Sequence, residues 1–121
     1  MTVNKRKIGA QHEQKAGAYL EEKGYEILEF NYRCRQGEID IIAKDGEYLV
    51  FVEVKLRKSN RFALAMEHVD SFKQERLRTT AEYYLSKYPT ELQPRFDVIE
   101  IYAPHGTETT RPTVVHLEDA F

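Results

Sequence analysis

The chain has 121 residues, of which 31% are charged, and its formal net charge is −2. This length supports one domain spanning residues 1–121, and the small negative charge excludes an overall basic field that would attract nucleic acid. One cysteine, Cys34, excludes an internal disulfide and a zinc site with several thiolates. The basic residues near the start are not followed by an apolar run, and no segment is long enough to span a bilayer. We therefore expect a cytoplasmic protein with no membrane partner.

The first predicted element is a helix from about residue 9 to residue 23, after a flexible segment at residues 1–8. Glu13, Ala16 and Leu20 fall on one stripe of this helix, and Gly24 is placed to end it. A carboxylate on the apolar stripe must be paired, protonated or bound to a cation. Alternatively, Glu13 lies just outside the buried arc and is solvated, and the pattern leaves both interpretations open.

Three strands are predicted next, over residues 25–33, 37–44 and 47–55. The second and third flank the Asp45-Gly46 pair, which favours a tight turn, so they form a β-hairpin. Side chains alternate between the faces of a strand, so the valines at positions 50, 52 and 54 share one face, which we expect to be buried.

The opposite face of the hairpin carries the charges. Glu53 and Lys55 lie on it, and a turn at residues 45 and 46 pairs Asp40 with Phe51, which places Asp40 there too. A shift of two residues would set Asp40 directly opposite Glu53, whereas a shift of one would separate them. An even register therefore brings the two carboxylates together.

Two carboxylates on one sheet face can bind a hard divalent cation such as Mg²⁺, which activates water for attack on a phosphodiester. Lys55 would orient that water or stabilise the charge that develops on the phosphate. Glu13 would add a third carboxylate if its helix packs against this end of the sheet. The competing interpretation is an exposed sheet face with an ordinary ion pair. The four histidines have no metal-ligand spacing.

Basic residues dominate the stretch from 55 to 61, which either binds phosphates or is a solvated linker. A second helix is predicted from about residue 72 to residue 87, with Asp70 or Ser71 as its N-cap. Gln74 begins its core-facing stripe, and basic residues flank that stripe. A strand at residues 95–102 and a short edge strand at residues 114–117 follow, separated by residues 103–112, which we expect to be flexible. The order α-β-β-β-α-β predicts a mixed α/β sheet flanked by helices.

The segments GEIDIIA (37–43) and FVEVK (51–55) resemble the metal-dependent PD-(D/E)xK nuclease motif, with Ile39 where the motif name has Pro. Together with Glu13, KQ (73–74), YYL (83–85), RFDV (95–98) and the DAF ending (119–121), they resemble the YraN-like family of small bacterial proteins over nearly the whole chain. The resemblance implies a restriction-endonuclease-like fold similar to that of archaeal Holliday-junction resolvases. It also implies Asp40 and Glu53 as metal ligands, Lys55 as the catalytic lysine and Glu13 as the helical acid. Glu38 is a further candidate, as a neighbour of this site.

The leading hypothesis is a Mg²⁺- or Mn²⁺-dependent endonuclease acting on branched or structured DNA, and analogy suggests a homodimer. The residues expected to bind nucleic acid are Arg57, Lys58, Arg61, Lys73, Gln74, Arg76 and Arg78. One alternative is a non-catalytic nucleic-acid-binding or scaffold module that retains the nuclease fold. A further alternative is an inert charged face on a protein that acts only through protein contacts.

Overall fold

A computed structural model of the chain describes residues 5–57, 70–102 and 113–121, with side chains described from residue 11 onward. In chain order, the elements are α1 (Lys5–Glu22), β1 (Glu26–Cys34), β2 (Gly37–Asp45), β3 (Tyr48–Arg57), α2 (Ser71–Lys87), β4 (Gln93–Tyr102) and β5 (Thr113–Leu117). The predicted element order is confirmed, and α1 begins at Lys5, within the N-terminal segment predicted to be flexible. Residues 1–4 and 103–112, also predicted to be flexible, lie outside the described residues.

The strands form one mixed sheet in the order β1-β2-β3-β4-β5. The pairs β1–β2, β2–β3 and β4–β5 are antiparallel, whereas β3 and β4 are parallel and have α2 between them in the chain. This is the mixed α/β architecture that the sequence predicts. No helix within the described ranges is long and apolar enough to cross a membrane.

Both faces of the sheet are buried, each beneath one helix. Val50 and Val52 pack in the same core as Leu20 of α1, as the alternating pattern predicts. Phe51, on the other face, packs with Tyr84 of α2. The second helix therefore buries the apolar part of the face that carries the charges, and only the end of that face remains open for a site.

The hairpin turns one residue later than expected. Gly46 and Glu47 are the turn residues, and Gly46 has a φ of +57°. A two-residue turn that starts with glycine suits this geometry because only its first residue needs a positive φ. As a result Ile42, and not Asp40, lies opposite Phe51. The register differs from the predicted one by two residues, so it preserves the faces.

The ends of the two helices follow the sequence closely. Gly24, with a φ of +94°, ends α1 in a Schellman motif in which the Tyr25 N–H donates to the Leu20 carbonyl over 2.9 Å. Asp70 is the N-cap of α2, and its side chain accepts a hydrogen bond from the Lys73 N–H over 2.8 Å. This cap fixes the first turn of α2, which faces the open end of the sheet.

A buried ionic cluster holds the C-terminal residues against β4. Asp97 is fully buried and accepts two hydrogen bonds from Arg95, each 2.9 Å long, and one of 3.0 Å from the Asp119 N–H. Its Oδ2 also lies 2.8 Å from Nε2 of His116. Burial acts to raise the pKa of Asp97, but the hydrogen bonds from His116 and Arg95 hold it below its ordinary value. The cluster packs on the sheet face that α1 covers.

Candidate active site at the end of the central hairpin

Asp40 lies where the pairing of β2 with β3 ends. The last backbone pair is Ile41 with Val52, and the next position belongs to the Asp40 side chain, whose Oδ2 accepts a hydrogen bond from the Val54 N–H over 2.8 Å. Continuing the register by one residue sets Asp40 opposite Glu53. Both side chains line the same cavity. The carboxylates predicted to meet therefore do so, through the register with the two-residue shift.

The regular alternation of β2 breaks at Asp40. Ile39 packs in the core beneath α2, whereas Ile41 packs in the core beneath α1, although strict alternation would place both on one face. Asn31, opposite Asp40 on β1, has a φ of +54°. This local distortion explains how Asp40 interacts both with Glu53 and with Glu13 on α1.

Glu13 is half-buried and bonds the side chains of Asn31 and Asp40. Burial raises the pKa of Glu13 above its ordinary value. Its Oε2 is buried and has no hydrogen-bond partner. The sequence left open whether the Glu13 carboxylate is buried or solvated. The structure supports the buried position, because the carboxylate bonds Asp40 and its Oε2 accepts no hydrogen bond.

The acidic centre of the site is Asp40. Burial, followed by the negative charge of Glu53, raises its pKa to about 8, and Glu13 acts in the same direction. The hydrogen bond from Val54 opposes this rise without cancelling it. Glu53 and Glu13 thus both disfavour the ionisation of Asp40, which is a situation that a bound cation relieves.

Two lysines offset part of this charge by sharing a single oxygen. Nζ of Lys73, on α2, lies 2.6 Å from Oε1 of Glu53, and Nζ of Lys55 lies 3.2 Å from the same atom. Burial and the neighbouring Lys73 lower the pKa of Lys55. Burial also acts to lower the pKa of Lys73, but the hydrogen bonds to Glu53 and Lys55 outweigh it and raise this pKa. Lys73 therefore keeps its proton more firmly than Lys55.

These groups surround a cavity of about 150 Å³ between the hairpin and α2. Its lining residues are Gly37, Glu38, Asp40, Glu53, Lys73, Arg76, Leu77 and Thr80. Gly37 has a φ of +148°, and a Cβ added there would lie 2.9 Å from Oγ1 of Thr80. A side chain at position 37 would strain the backbone and push into α2, so this part of the cavity wall needs glycine.

Asp40 and Glu53 are the residues that could hold a metal ion, with Glu13 beside them. In the part of the chain that the structure describes, no three His, Cys, Asp or Glu side chains are grouped so that they could together hold a metal ion. Mg²⁺ does not require such a group of three, since it is usually bound by one or two carboxylates and completes its shell with water and phosphate oxygens. The unused oxygen of Glu13 and the raised pKa of Asp40 fit such an ion.

Comparison with known protein families matches residues 12–101 to the model of the uncharacterised protein family UPF0102. The chain belongs to this family. The family resemblance noted in the sequence is thereby confirmed, and the matched range includes the Glu13, Asp40, Glu53, Lys55 and Lys73 positions.

UPF0102 relatives cover nearly the whole chain. The UPF0102 protein of Caldicellulosiruptor saccharolyticus is 46% identical over 101 residues, which are 83% of this chain and 86% of the relative. That of Caldanaerobacter subterraneus subsp. tengcongensis is 44% identical over 120 residues, 98% of each chain. That of Geobacter metallireducens is 40% identical over 122 residues, 100% of this chain and 97% of the relative.

In this UPF0102 chain, three of the arginines expected to bind nucleic acid have different surroundings. Arg57 is half-buried, with Nε 3.8 Å from Oε2 of Glu100. The Arg78 guanidinium lies 5.6 Å from the ring centroid of Phe121. Arg76 is exposed at the cavity.

Two further candidates are Gln74, expected to bind nucleic acid, and Glu38, expected to be a neighbour of the site. Gln74 is half-buried, and its N–H donates to the Asp70 carbonyl over 2.9 Å. Glu38 lines the cavity and pairs with Arg33, with 3.2 Å between Oε2 and Nε. Lys58 and Arg61 lie outside the described residues.

The sequence did not predict the contact of Lys73 with Glu53, since it assigned Lys73 to nucleic-acid binding. A signal was present, because Lys73, Leu77, Thr80 and Tyr84 follow one another at helical spacing and the last three are buried. Read as the first member of that stripe, Lys73 would have been placed over the end of the sheet.

Proposed function

We propose that this chain is a Mg²⁺- or Mn²⁺-dependent endonuclease that hydrolyses phosphodiester bonds in DNA, on a restriction-endonuclease-like fold. The observation that carries the proposal is the meeting of Glu13, Asp40 and Glu53 at one end of the sheet, with two ammonium groups on Glu53. A structural ion pair needs one cation for one carboxylate. Here the carboxyl groups outnumber the cations that bond them, and one carboxyl oxygen is buried without a partner.

Asp40 and Glu53 would hold the ion, and Glu13 would bond it or one of its water ligands. When bound, such an ion polarises a phosphoryl oxygen and lowers the pKa of a coordinated water. The Val54 N–H donates a hydrogen bond to Oδ2 of Asp40, which fixes the orientation of the carboxylate. Glu13, bonded to Asp40 from the side of α1, further restricts the Asp40 side chain.

The lysines supply the positive charge that hydrolysis requires. In this reaction a water oxygen bonds to phosphorus, the bond from phosphorus to a deoxyribose oxygen breaks, and that oxygen leaves with a proton. Lys55 and Lys73 bond the same oxygen of Glu53, so either can turn to a phosphate oxygen while the other keeps Glu53 paired. The lowered pKa of Lys55 makes it the better proton donor of the two.

The proposed substrate is branched or structured DNA, and the proposed assembly is a homodimer. Both follow from the resemblance to archaeal Holliday-junction resolvases. The exposed Arg76 at the cavity provides a cation for the phosphate backbone.

The test is cleavage of labelled linear, flap and four-way-junction DNA with Mg²⁺ or Mn²⁺. Wild type should cut at least one of these substrates, and Asp40→Asn should abolish cutting. Glu47→Gln, which removes an exposed carboxylate from the turn of the same hairpin, should cut like wild type. Equal cleavage by wild type and Asp40→Asn would reject the assigned site.

A non-catalytic nucleic-acid-binding module is the second candidate, favoured by the observation that Lys55 and Lys73 both pair with Glu53 and so offset its charge. Such a module would bind DNA in EDTA as well as in Mg²⁺, with an affinity that falls steeply with salt. Isothermal titration of the protein with Mn²⁺ separates the two functions. If the protein is a nuclease, wild type should bind the ion and Asp40→Asn should not. If it is a binding module, wild type and Asp40→Asn should give the same heat on addition of Mn²⁺.

A further inference from the structure

A second depression adjoins the cavity, and the two share one wall. This groove of about 260 Å³ is lined by Gln36, Phe72, Glu75, Arg76 and Thr79. Arg76 lines the cavity as well. A ligand that extends out of the carboxylate site past Arg76 therefore enters the groove directly.

The groove contains an aromatic ring that the fold does not use. Phe72 is 69% exposed, although it stands in the first turn of α2 directly before Lys73, which bonds Glu53. Exposed phenylalanine is costly to hydrate, and a single exposed ring is not unusual by itself. Its position is unusual, because the ring stands on one side of the shared wall and the carboxylates stand on the other.

Gln36 provides the second observation. Its Oε1 is buried and has no hydrogen-bond partner, although Gln36 lines the groove. A buried amide oxygen without a donor costs free energy, which the Gln36 side chain would recover by rotating this oxygen toward the N–H group of a ligand in the groove. The groove thus offers a flat apolar ring together with an unused polar acceptor.

We propose that the groove binds one unstacked base of a DNA strand whose phosphate lies in the neighbouring cavity. The ring of Phe72 stacks on the base, Gln36 bonds its edge, and Arg76 contacts the phosphate between groove and cavity. Glu75 in the groove repels a phosphate but not an uncharged base. Because every base has a face that stacks, this subsite accepts any sequence.

This inference rests on the proposed function and narrows its substrate class. A base within a duplex must leave its stack before it can reach Phe72, whereas an unpaired base at a flap, gap or junction is already free. The groove therefore favours cleavage next to unpaired nucleotides and disfavours continuous duplex.

The test uses Asp40→Asn protein, so that the DNA remains intact, and fluorescence of 2-aminopurine placed in a short single strand or inside a continuous duplex. Stacking on Phe72 should quench the single-strand signal on binding. Adding Phe72→Ala should abolish the quenching and weaken single-strand binding roughly ten-fold, the size that loss of one base–aromatic stack produces. Phe72→Trp should restore both.

Tyr88→Ala is the matched control, since Tyr88 is an exposed aromatic residue just beyond the other end of α2. It should bind both DNAs like the parent protein, and duplex binding should be unchanged by Phe72→Ala. The proposal would be overturned if Phe72→Ala and Tyr88→Ala lost equal affinity for single-stranded DNA. It would also be overturned if Phe72→Ala lost equal affinity for single strand and duplex. Because binding and quenching are measured without cleavage, a failure of the nuclease proposal would leave this result intact and separately readable.

Discussion

Replacing Asp40 with Asn should stabilise the ion-free protein near neutral pH, although it removes a central group of the proposed site. Burial and the charge of Glu53 raise the pKa of Asp40 to about 8, whereas an unfolded aspartate titrates near about pH 4. Between these values the folded protein holds the proton that the unfolded chain releases. Stability from this group is therefore complete below the unfolded pKa and is lost as the pH rises toward the folded one. Asn keeps the shape and an acceptor for the Val54 N–H without the charge.

The size of the effect follows from the span between the two pKa values. Each pH unit within that span changes stability by at most about 1.4 kcal/mol, so the ceiling near pH 7 is about 4 kcal/mol. Coupled titration with Glu13 and relaxation of the site reduce this value. We expect the free energy of unfolding of Asp40→Asn to exceed that of wild type by about 1–3 kcal/mol near pH 7 and to be nearly equal to it at about pH 4.

Urea unfolding in EDTA, followed by far-UV circular dichroism at a series of pH values, measures this difference. Glu47→Gln is the control, and its difference from wild type should not vary with pH. Adding Mg²⁺ or Mn²⁺ should raise the unfolding midpoint of wild type more than that of Asp40→Asn, because only wild type presents both carboxylates to the ion. Parallel stability curves for wild type and Asp40→Asn between about pH 5 and about pH 8 would refute the reasoning.

Three further outcomes are expected. Lys73→Gln should slow cleavage about ten-fold or more, since it removes one of two ammonium groups from Glu53, and Lys87→Gln at the far end of α2 should leave initial rates unchanged. Gly37→Ala should lower the free energy of unfolding by about 1–3 kcal/mol and Gly46→Ala by only about 1 kcal/mol, because both have a positive φ but only position 37 is crowded; urea midpoints would show the order. Asp97→Ala should lower the free energy of unfolding by about 3–5 kcal/mol at neutral pH, because it removes the buried carboxylate that bonds both Arg95 and His116. Since the folded pKa of Asp97 is depressed, its contribution is present above the unfolded pKa and lost as the pH falls through the folded one, so urea curves of wild type and variant should converge in acid.

Local features of the fold could be predicted because each depends on a few adjacent residues. Gly24 and Asp70 mark helix ends by their own backbone and side-chain chemistry. The hairpin was also predictable, but its turn was displaced by one residue because Gly46 suits the first turn position as well as the second. The prediction of which side chains share a face remained correct, because a turn one residue later shifts the strand pairing by two residues and side chains alternate with a period of two.

The site was only partly predictable, because half of it depends on packing between distant segments. Asp40 and Glu53 meet through hairpin register, which the sequence constrains. Glu13 reaches Asp40 because side-chain alternation in β2 breaks at Asp40, opposite Asn31 with its positive φ. No residue pattern in β1 predicts that distortion. Lys73 reaches Glu53 only because of how α2 lies across the sheet end.

The basic residues illustrate the same limit. Arg57 and Arg78 belong to charge-rich stretches, but the structure directs them toward Glu100 and Phe121, partners that are remote in sequence. The sequence shows where the basic residues are in the chain, but it does not show which side chains the fold brings into contact with them. Arg76, with similar neighbours in the chain, remains at the cavity.

The parallel pairing of β3 with β4 has a consequence for how the charges come together as the chain folds. Asp40, Glu53 and Lys55 belong to one hairpin, a unit that closes in about 1–10 μs. Lys73 arrives only when the intervening helix has docked and β4 has aligned, a slower event of longer range. Until α2 docks, Glu53 therefore has only Lys55 as an ammonium partner within its own hairpin.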